Sequence, residues 1–307
     1  SPAPQDGTSM SLSVSVLITN YESWDDARLC VEKVIEHAGS EVDRILIADD
    51  ASSSPPPLLP DRVDVVRNSE NLGFPATLNR GFRELTEDVI VHFDADGHPL
   101  MDFAIPTRQA FTDDEDLGAL GFHMVDHDGD MTGSFTHESD ISLTAFVAGQ
   151  QIGRLFRSNG TSDLLLPNAC GTAVRRSAYV DAGGFDESFD LLDVDLDFFL
   201  RLARRDWMIR YTPHIRAYHE GGGSPQTTAT RVLRHHRDRW RLLRKHGYVN
   251  QPQVIKLCLT IRHIAEYVIL SILGRQLYDN QTQVQDKIEG RRRLLQSVWN
   301  DYQTSST

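Results

Sequence analysis

Cysteine is scarce in this chain: Cys30, Cys170 and Cys258 are the only three in 307 residues, and they lie far apart. The spacing excludes a Cys-x-x-Cys metal knuckle, and the odd, sparse count suits a reducing compartment rather than a disulfide framework. Positive charge is short as well. Lys and Arg number 31 against 44 Asp and Glu, a net charge of −13, so the basic face that supplies affinity for nucleic acid is missing. Long apolar runs are absent too. The most apolar late stretch, Ile264 to Leu273, is broken by Glu266 and falls short of the roughly 20 residues that span a bilayer. Ser1 to Ser11 lack the basic-then-apolar order of a secretory signal. The expected setting is cytoplasmic, in solution or peripheral at the inner membrane face.

Two nucleotide-binding signatures are also missing. No Gly-Lys-Ser/Thr closes a glycine-rich loop, which excludes a P-loop NTPase. No Gly-x-Gly-x-x-Gly follows the first strand, which weakens a dehydrogenase reading. What is present is an α/β alternation. Leu12 to Thr19 reads as a short buried strand, followed by a helix N-cap at Ser23 with Asp26 at the capping-box position. The helix then places Ala27, Cys30, Val31, Val34, Ile35 and Ala38 on one face. Strands follow over Arg44 to Ala48 and Arg62 to Val66, separated by the Ser/Pro loop from Ser52 to Pro60. Pro75 opens a helix running to about Leu85, and Val89 to Phe93 is a fourth strand. Polar clusters stand at three strand ends: Thr19-Asn20-Tyr21, Asp49-Asp50, and Asp94 with Asp96. In open α/β sheets ligands bind beyond the carboxyl ends of the strands, so these clusters are expected to line one site. Later strands are expected over Leu117 to Phe122, Ala173 to Arg175, Ile209 to Thr212 and Ile215 to His219, the last two around a turn at Pro213-His214. A helix over Asp195 to Arg205 turns Leu196, Phe199, Leu200 and Ala203 inward. From about Gln226 the pattern becomes long, charged and helical.

Individual constellations admit two readings each. Asp94-Ala95-Asp96 can hold a hard divalent cation beside a diphosphate, or it can be a solvated turn. The chain holds six Asp-x-Asp triplets, and only this one directly follows a strongly apolar strand. Asp126, Asp128 and Asp130 imitate a calcium loop, but Met131 and His137 occupy the places of its Gly and Glu, leaving a polar hairpin turn around Gly129. Asp49 and Asp50 can accept from a nucleobase or ribose, or make an Asx turn out of the strand. Asp193, Asp195 and Asp197 surround a helix start, where one could act as general base and the others suit the helix dipole. His219 ends a strand ahead of Glu220-Gly221-Gly222-Gly223-Ser224. It is either a third metal ligand beside a loop folded over phosphates, or a structural histidine.

Taken together, these pieces resemble the family 2 glycosyltransferases, inverting enzymes of the GT-A fold, in their rhamnosyltransferase-like branch. The resemblance runs from about Leu12 to Ser224. It is carried by Val14-Ser15-Val16-Leu17-Ile18-Thr19-Asn20-Tyr21, by Ile47-Ala48-Asp49-Asp50-Ala51-Ser52, by Asn71-Leu72-Gly73-Phe74 through Asn79-Arg80-Gly81, and by Asp94-Ala95-Asp96. Cys170-Gly171-Thr172-Ala173-Val174-Arg175-Arg176, Gly183-Gly184-Phe185-Asp186-Glu187, Asp193-Val194-Asp195-Leu196 and His219 follow in the family's order. The resemblance implies an α/β fold with a mixed, mostly parallel central sheet, flanking helices and a C-terminal helical extension. Residues 1–225 would be the catalytic domain, with a nucleotide-sugar half over 12–100 and an acceptor half over 101–225, and 226–307 the extension. Thr19, Asn20, Tyr21, Asp49, Asp50, Gly73, Asn79 and Asp94 would form the donor site, for a UDP- or dTDP-sugar. Asp94, Asp96 and His219 would bind Mn²⁺ or Mg²⁺, and Gly171 would stand on the acceptor side. Asp193 would be the base that deprotonates a saccharide or lipid-linked acceptor, with Asp195 its rival. One departure stands out: where the family has Glu-Asp, this chain has Leu192-Asp193. That keeps open a catalytically silent scaffold. A nucleotidyltransferase is the other alternative, although the acidic Tyr21-Glu22-Ser23-Trp24-Asp25-Asp26 stands where it needs a basic loop.

Arg231 to His246 carries seven Arg and Lys against Asp238 alone. The segment is expected first to pack against the acidic body, and second to touch an anionic membrane surface or a phosphate-bearing acceptor. Val254 to Leu277 is amphipathic enough to pack on the core or to pair with a second subunit in a homodimer.

Overall fold

The computed structural model describes residues 11–149, 164–220, 227–278 and 280–302; the Gly221 to Ser224 run and Ser1 to Met10 lie outside the described residues. The chain forms two compact units. The first comprises Ser1–Phe135, Pro167–Gly184 and Phe198–Gly221, and the second Thr136–Leu166, Phe185–Asp197 and Gly222–Thr307.

The first unit is built on an eight-stranded sheet in the order β3-β2-β1-β4-β9-β6-β10-β5. Strand β1 (Val14–Asn20) is buried along its whole length, as a strand covered on both faces must be. Burial of its Val and Ile side chains contributes on the order of 1.5–3 kcal/mol each. It pairs in parallel with β2 (Arg44–Asp49) on one side and β4 (Val89–Asp94) on the other, and β2 pairs in parallel with β3 (Val63–Arg67). Strand β9 (Thr172–Arg175) runs antiparallel to both β4 and β6 (Leu117–Val125), so β6 again points the same way as β4. Strand β10 (Met208–Tyr218) is parallel to β6, and β5 (His98–Pro99) closes the edge antiparallel to it. Four carboxyl ends in the first half and two in the second therefore face one edge.

Helix α1 (Trp24–Ala38) buries Ala27, Cys30, Val31, Val34 and Ala38 as expected, with Ile35 half-buried. The expected capping box does not form: the Ser23 side chain makes no capping hydrogen bond, and its carbonyl alone receives the Ala27 N–H. Asp is too short to reach back as Glu or Gln would. Helix α2 (Phe74–Glu84) starts at Gly73, whose positive φ of 88° turns the chain into it, and Pro75 takes the second position. A Cβ on Gly81 would stand 2.3 Å from Leu17 Cδ1, so glycine there lets α2 lie against β1. Two short helices follow, α3 (Ala104–Asp113) and, in the second unit, α4 (Leu143–Ala148). Helix α5 (Arg176–Ala182) comes next, then α6 (Val194–Ala203), which runs through Asp197 of the second unit into Phe198 of the first. Around α6 the inward set is wider than a single stripe. Phe198 and Leu202 are buried along with Leu196, Phe199 and Leu200, while Ala203 is only half-buried.

The two strands expected either side of Pro213-His214 are one, β10, whose register against β6 slips between Tyr211 and Arg216. Proline has no N–H to give the ladder, so the strand bulges there and resumes instead of turning back. The Asp126–Asp130 segment is a hairpin turn. Asp126 Oδ1 accepts from the N–H groups of Asp128 and Asp130, and Gly129 has φ of 83°.

The helices of the second unit are α7 (Thr228–Lys245), α8 (Pro252–Leu277) and α9 (Gln281–Ser297). Close approach at two glycines sets their packing. Gly274 of α8 faces Val284, and Gly290 of α9 faces the backbone of Ala229. The stretch Ile264 to Leu273 is part of a 26-residue helix, long and apolar enough by length and composition to cross a membrane. Glu266 does not interrupt it, because its carboxylate is held by Arg262 and Arg291 at 2.7 Å each.

Candidate functional site

The register alone brings the sequence clusters together. Asn20 lies opposite Asp49, and Thr19 lies opposite both Ala48 and Asp94. His219 follows the end of β10, where its N–H bonds Val125 O, and Cys170-Gly171 precedes the antiparallel β9, where Gly171 N–H bonds His92 O. All of these residues belong to the first unit.

On the β1–β2 side the carboxylates are turned inward. Asp49 is fully buried; its Oδ1 accepts from Asn20 Nδ2 (2.6 Å) and Ser52 Oγ (2.5 Å). Its Oδ2 accepts from Ser52 N (3.1 Å), the Asx turn, and from Arg67 Nε (2.8 Å). Asp50 accepts from Asn68 Nδ2 and Leu72 N at 2.8 Å and from Gly73 N at 2.9 Å, tying the Asn71–Gly73 loop to the end of β2. Asn79 is buried on α2, where its Oδ1 accepts from the Tyr179 hydroxyl at 2.9 Å. These three groups shape the wall from behind. At its surface stands the Tyr21 ring, 53% exposed; beneath it Asn20 Oδ1 is buried and has no donor among the described residues.

On the β4–β10 side three groups converge. His219 Nε2 lies 3.8 Å from Asp94 Oδ2 and 3.5 Å from Asp96 Oδ1. Burial opposes a charge on His219, but its bond to Asp96 and the fields of Asp94 and Asp96 outweigh that and raise its pKa. The Asp96 carboxyl is lowered in turn, chiefly by the His219 hydrogen bond. The pocket thus attracts positive charge. Two hard oxygens and an imidazole nitrogen suit Mn²⁺ or Mg²⁺ better than a thiophilic ion. Cys170, which the sequence did not connect to this place, puts its sulfur within 4.8 Å of the Asp94 and His219 ligand atoms. Burial and Asp94 push its thiol pKa well up, so it stays protonated and instead accepts the Asp94 N–H at 3.4 Å.

His92 is a second residue that the sequence reading passed over. It interrupts the apolar run of β4 two places before Asp94, a spacing that keeps both on one face of the strand. Its Nδ1 faces Ala169 O at 2.9 Å and its Nε2 faces Thr19 Oγ1 at 3.0 Å. Burial lowers its pKa, so the neutral ring donates from Nδ1 and accepts the Thr19 hydroxyl. That hydroxyl also lies 3.2 Å from Asp94 Oδ1, so His92 and Asp94 compete for one proton. Gly171, with φ of 69°, packs so closely that a Cβ would stand 2.2 Å from Met124 Sδ.

The residues expected to supply a base lie in the second unit. Asp193 is nearly buried, has φ of 59°, and caps the first turn of α6 with its carbonyl to Asp197 N. Arg239 of α7 grips both carboxylate oxygens, Nε to Oδ2 at 2.6 Å and Nη2 to Oδ1 at 2.9 Å. Asp195 accepts from Leu196 N at 2.8 Å. A buried acid from another helix holds the backbone at Leu192. Asp238, fully buried on α7, accepts the N–H groups of Asp190, Leu191 and Leu192 at 3.3, 3.2 and 3.0 Å. The basic helix is otherwise occupied with acids of its own unit. Arg234 and Arg237 bind Asp190, Arg244 binds Asp301, and Lys245 binds Asp186 and Asp197. Its apolar residues Trp240, Leu242 and Leu243 are buried.

Residues 15–179 match the family described as Glycosyl transferase family 2. No curated protein matches the chain. Among solved structures, one similar fold is GalNAc-T7 with UDP, GalNAc and Mn²⁺, at 17% identity and a TM-score of 0.53. The match covers 77% of this chain and 48% of that one, so this chain spans about half the length of that relative. Another is the mannosyltransferase PcManGT from Pyrobaculum calidifontis in complex with GDP-Man and Mn²⁺. It is 13% identical with a TM-score of 0.55, and the match covers 94% of this chain and 88% of that one. At such identities the likeness is one of fold.

Proposed function

This chain belongs to glycosyl transferase family 2, and from that premise we propose that it moves one sugar from a nucleotide-sugar donor to a saccharide or lipid-linked acceptor, with inversion. The observation that carries the reading is that His219 stands 3.8 Å from Asp94 and 3.5 Å from Asp96 at the sheet edge where Asn20 and Tyr21 also lie. The nucleoside of a UDP- or dTDP-sugar lies against Tyr21 and next to Asn20, while Thr19 adjoins Asp94. Asp49, Asp50, Gly73 and Asn79 hold that wall in shape. Mn²⁺ or Mg²⁺ held by Asp94, Asp96 and His219 would act as a Lewis acid toward the leaving diphosphate, worth on the order of 2–4 kcal/mol. Gly171 stands on the acceptor side. Asp193, with Asp195 as rival, takes the proton from the acceptor hydroxyl. The new bond forms from that oxygen to the anomeric carbon as the bond to the diphosphate breaks, with the electron pair leaving on the diphosphate. In this reading 12–100 is the nucleotide-sugar half, 101–225 the acceptor half and 226–307 the helical extension. The rhamnosyltransferase-like branch, and with it an envelope or capsule polysaccharide made on the cytoplasmic side, is the context that the motif order supports.

The test is a thermal-shift panel of UDP, dTDP, GDP and their sugars with and without Mn²⁺. Ligand at a hundredfold excess over Kd raises stability by about 2.7 kcal/mol. A Mn²⁺-dependent shift with one nucleotide, lost in Asp94→Ala/Asp96→Ala, is the expected result. No shift with any nucleotide refutes the donor site and leaves the silent scaffold. Release of pyrophosphate in place of a nucleoside diphosphate would mark a nucleotidyltransferase. Turnover that survives Asp193→Asn but not Asp195→Asn transfers the base role to Asp195.

A further inference from the structure

One face of α7 borders a cavity of about 360 Å³ lined by Arg237, Trp240, Arg241, Arg244, Lys245 and Asp301. The five helical positions recur at three- and four-residue steps, so they share one side of α7. All six residues belong to the second unit. The volume falls within the roughly 300–1,000 Å³ of small-molecule sites. Net charge does not single out the place. Apart from the Arg239–Asp193 pair, six cations meet here, Arg234, Arg237, Arg241, Arg244, Lys245 and Lys256, against five acids, Asp186, Asp190, Asp197, Asp238 and Asp301. What singles it out is which donors are left over, and where.

Of the five acids, Asp301 alone lines the cavity, and its oxygens are taken. Oδ1 meets Trp240 Nε1 and Lys256 Nζ at 2.7 Å each, and Oδ2 accepts from Arg244 Nη1 at 2.9 Å. Arg241 differs from its neighbours: its guanidinium makes no hydrogen bond among the described residues. The acid closest to it is Asp238, 3.9 Å from Nη1, and both oxygens of that buried carboxylate already accept backbone N–H groups. The Phe189 ring, 5.6 Å from Arg241 Cζ and 5.7 Å from Lys245 Nζ, holds both side chains by cation–π attraction. Arg244 commits Nη1 to Asp301 and leaves Nε and Nη2 without a partner among the described residues. Both guanidinium groups are open to solvent, at 29% and 54% side-chain exposure. A carboxylate offers two oxygens to one such fork. Unspent donors on two neighbouring guanidinium groups match the three terminal oxygens of a phosphate monoester instead.

We propose that this cavity binds a phosphate monoester group, with Arg241 and Arg244 as its donors. Binding there needs no divalent metal and none of the residues assigned to the nucleotide-sugar donor, so it stands or falls apart from that site.

The experiment is titration calorimetry of the full chain in EDTA and about 150 mM NaCl, where long-range attraction is screened. The titrants are inorganic phosphate, glucose 1-phosphate, and phosphatidylcholine vesicles carrying phosphatidate. Wild type binds at least one of them with Kd below about 1 mM. Whichever of glucose 1-phosphate and phosphatidate binds more tightly than free phosphate identifies what carries the group. Arg241→Gln, which breaks no hydrogen bond of the fold, raises Kd at least about tenfold and leaves the melting temperature unchanged. Arg241→Lys keeps the charge but loses the fork and raises Kd about threefold. Asp94→Ala/Asp96→Ala binds as wild type does. No binding of any titrant by wild type, or binding that Arg241→Gln leaves unchanged, overturns the proposal. So does binding lost in Asp94→Ala/Asp96→Ala but kept in Arg241→Gln, which returns the phosphate to the donor site and leaves that reading standing.

Discussion

Replacing Arg239 by Met tests the contact that ties the helical extension to the proposed base. The guanidinium and the Asp193 carboxylate are both close to fully buried, and they meet through two charge-assisted bonds. Removing the cation leaves Asp193 as an unpaired buried charge, a loss of about 3–5 kcal/mol. Arg239→Lys keeps the charge but not the planar fork, so its cost is smaller, about 1–2 kcal/mol. Adding Asp193→Asn to Arg239→Met removes the stranded charge, and Asn tolerates the left-handed backbone at that position. The double variant therefore regains most of what the single one lost, a coupling of roughly 2–3 kcal/mol. Urea unfolding followed by far-UV ellipticity reads this as a midpoint lowered by about 1–2 M in Arg239→Met and partly restored in the double variant. A loss below about 1 kcal/mol, or strict additivity, would show that the pair is no more than a screened surface contact and refute the reasoning.

Gly171→Ala combines a φ of 69° with a Cβ 2.2 Å from Met124 Sδ, so it destabilises by about 1–3 kcal/mol; an unchanged melting temperature would count against that packing. Acid also weakens the helical unit. Burial lowers the pKa of His235, lowers that of His236 well below the usual value, and takes His263 down to about 4, so the folded state keeps all three neutral. The unfolded chain binds more protons below about pH 6.5. This stability is therefore present above that pH and lost as pH falls toward about 4, roughly 3 kcal/mol for His263 alone, and His263→Asn flattens the profile of chemical denaturation against pH. Asp50→Ala releases the N–H groups of Leu72 and Gly73 and the Asn68 amide, so Kd for the stabilising nucleotide rises about tenfold, measured by calorimetry; an unchanged Kd would separate that loop from the donor site.

Legibility in the sequence followed the range of the interaction. The apolar strands β1, β2 and β4 and their acidic ends were readable because period and turn chemistry are local, and parallel pairing then placed Thr19, Asp49 and Asp94 side by side. The buried face of α1 was readable for the same reason, whereas its capping box was not, since that depends on side-chain reach. Cys170 and His92 escaped notice because each reaches the site through antiparallel pairing of β9 with β4, a contact between segments some eighty positions apart. The continuous strand through Pro213 depended on a partner, β6, that holds both halves in one ladder. Glu266 looked like a break in an apolar run only while Arg262 and Arg291 were unseen.

The substitution at Leu192 shows why a motif and its chemistry separate. Against the family pattern the missing Glu counts as damage, because a carboxylate beside the base is lost. In space a carboxylate does reach this backbone: Asp238, buried on α7, accepts the N–H groups of Asp190, Leu191 and Leu192. The next residue of that helix, Arg239, then fixes the plane of Asp193. The two carboxylates are held differently: Asp193 by the Arg239 guanidinium, and Asp238 by backbone N–H groups, with Arg237 and Arg241 each 3.9 Å away. Asp238 and Arg239, neighbours on α7, thus fix the backbone at 190–192 and the carboxylate of Asp193 from one helix. The helical extension therefore supplies part of the surroundings of the proposed base, from residues more than forty positions beyond Leu192 along the chain.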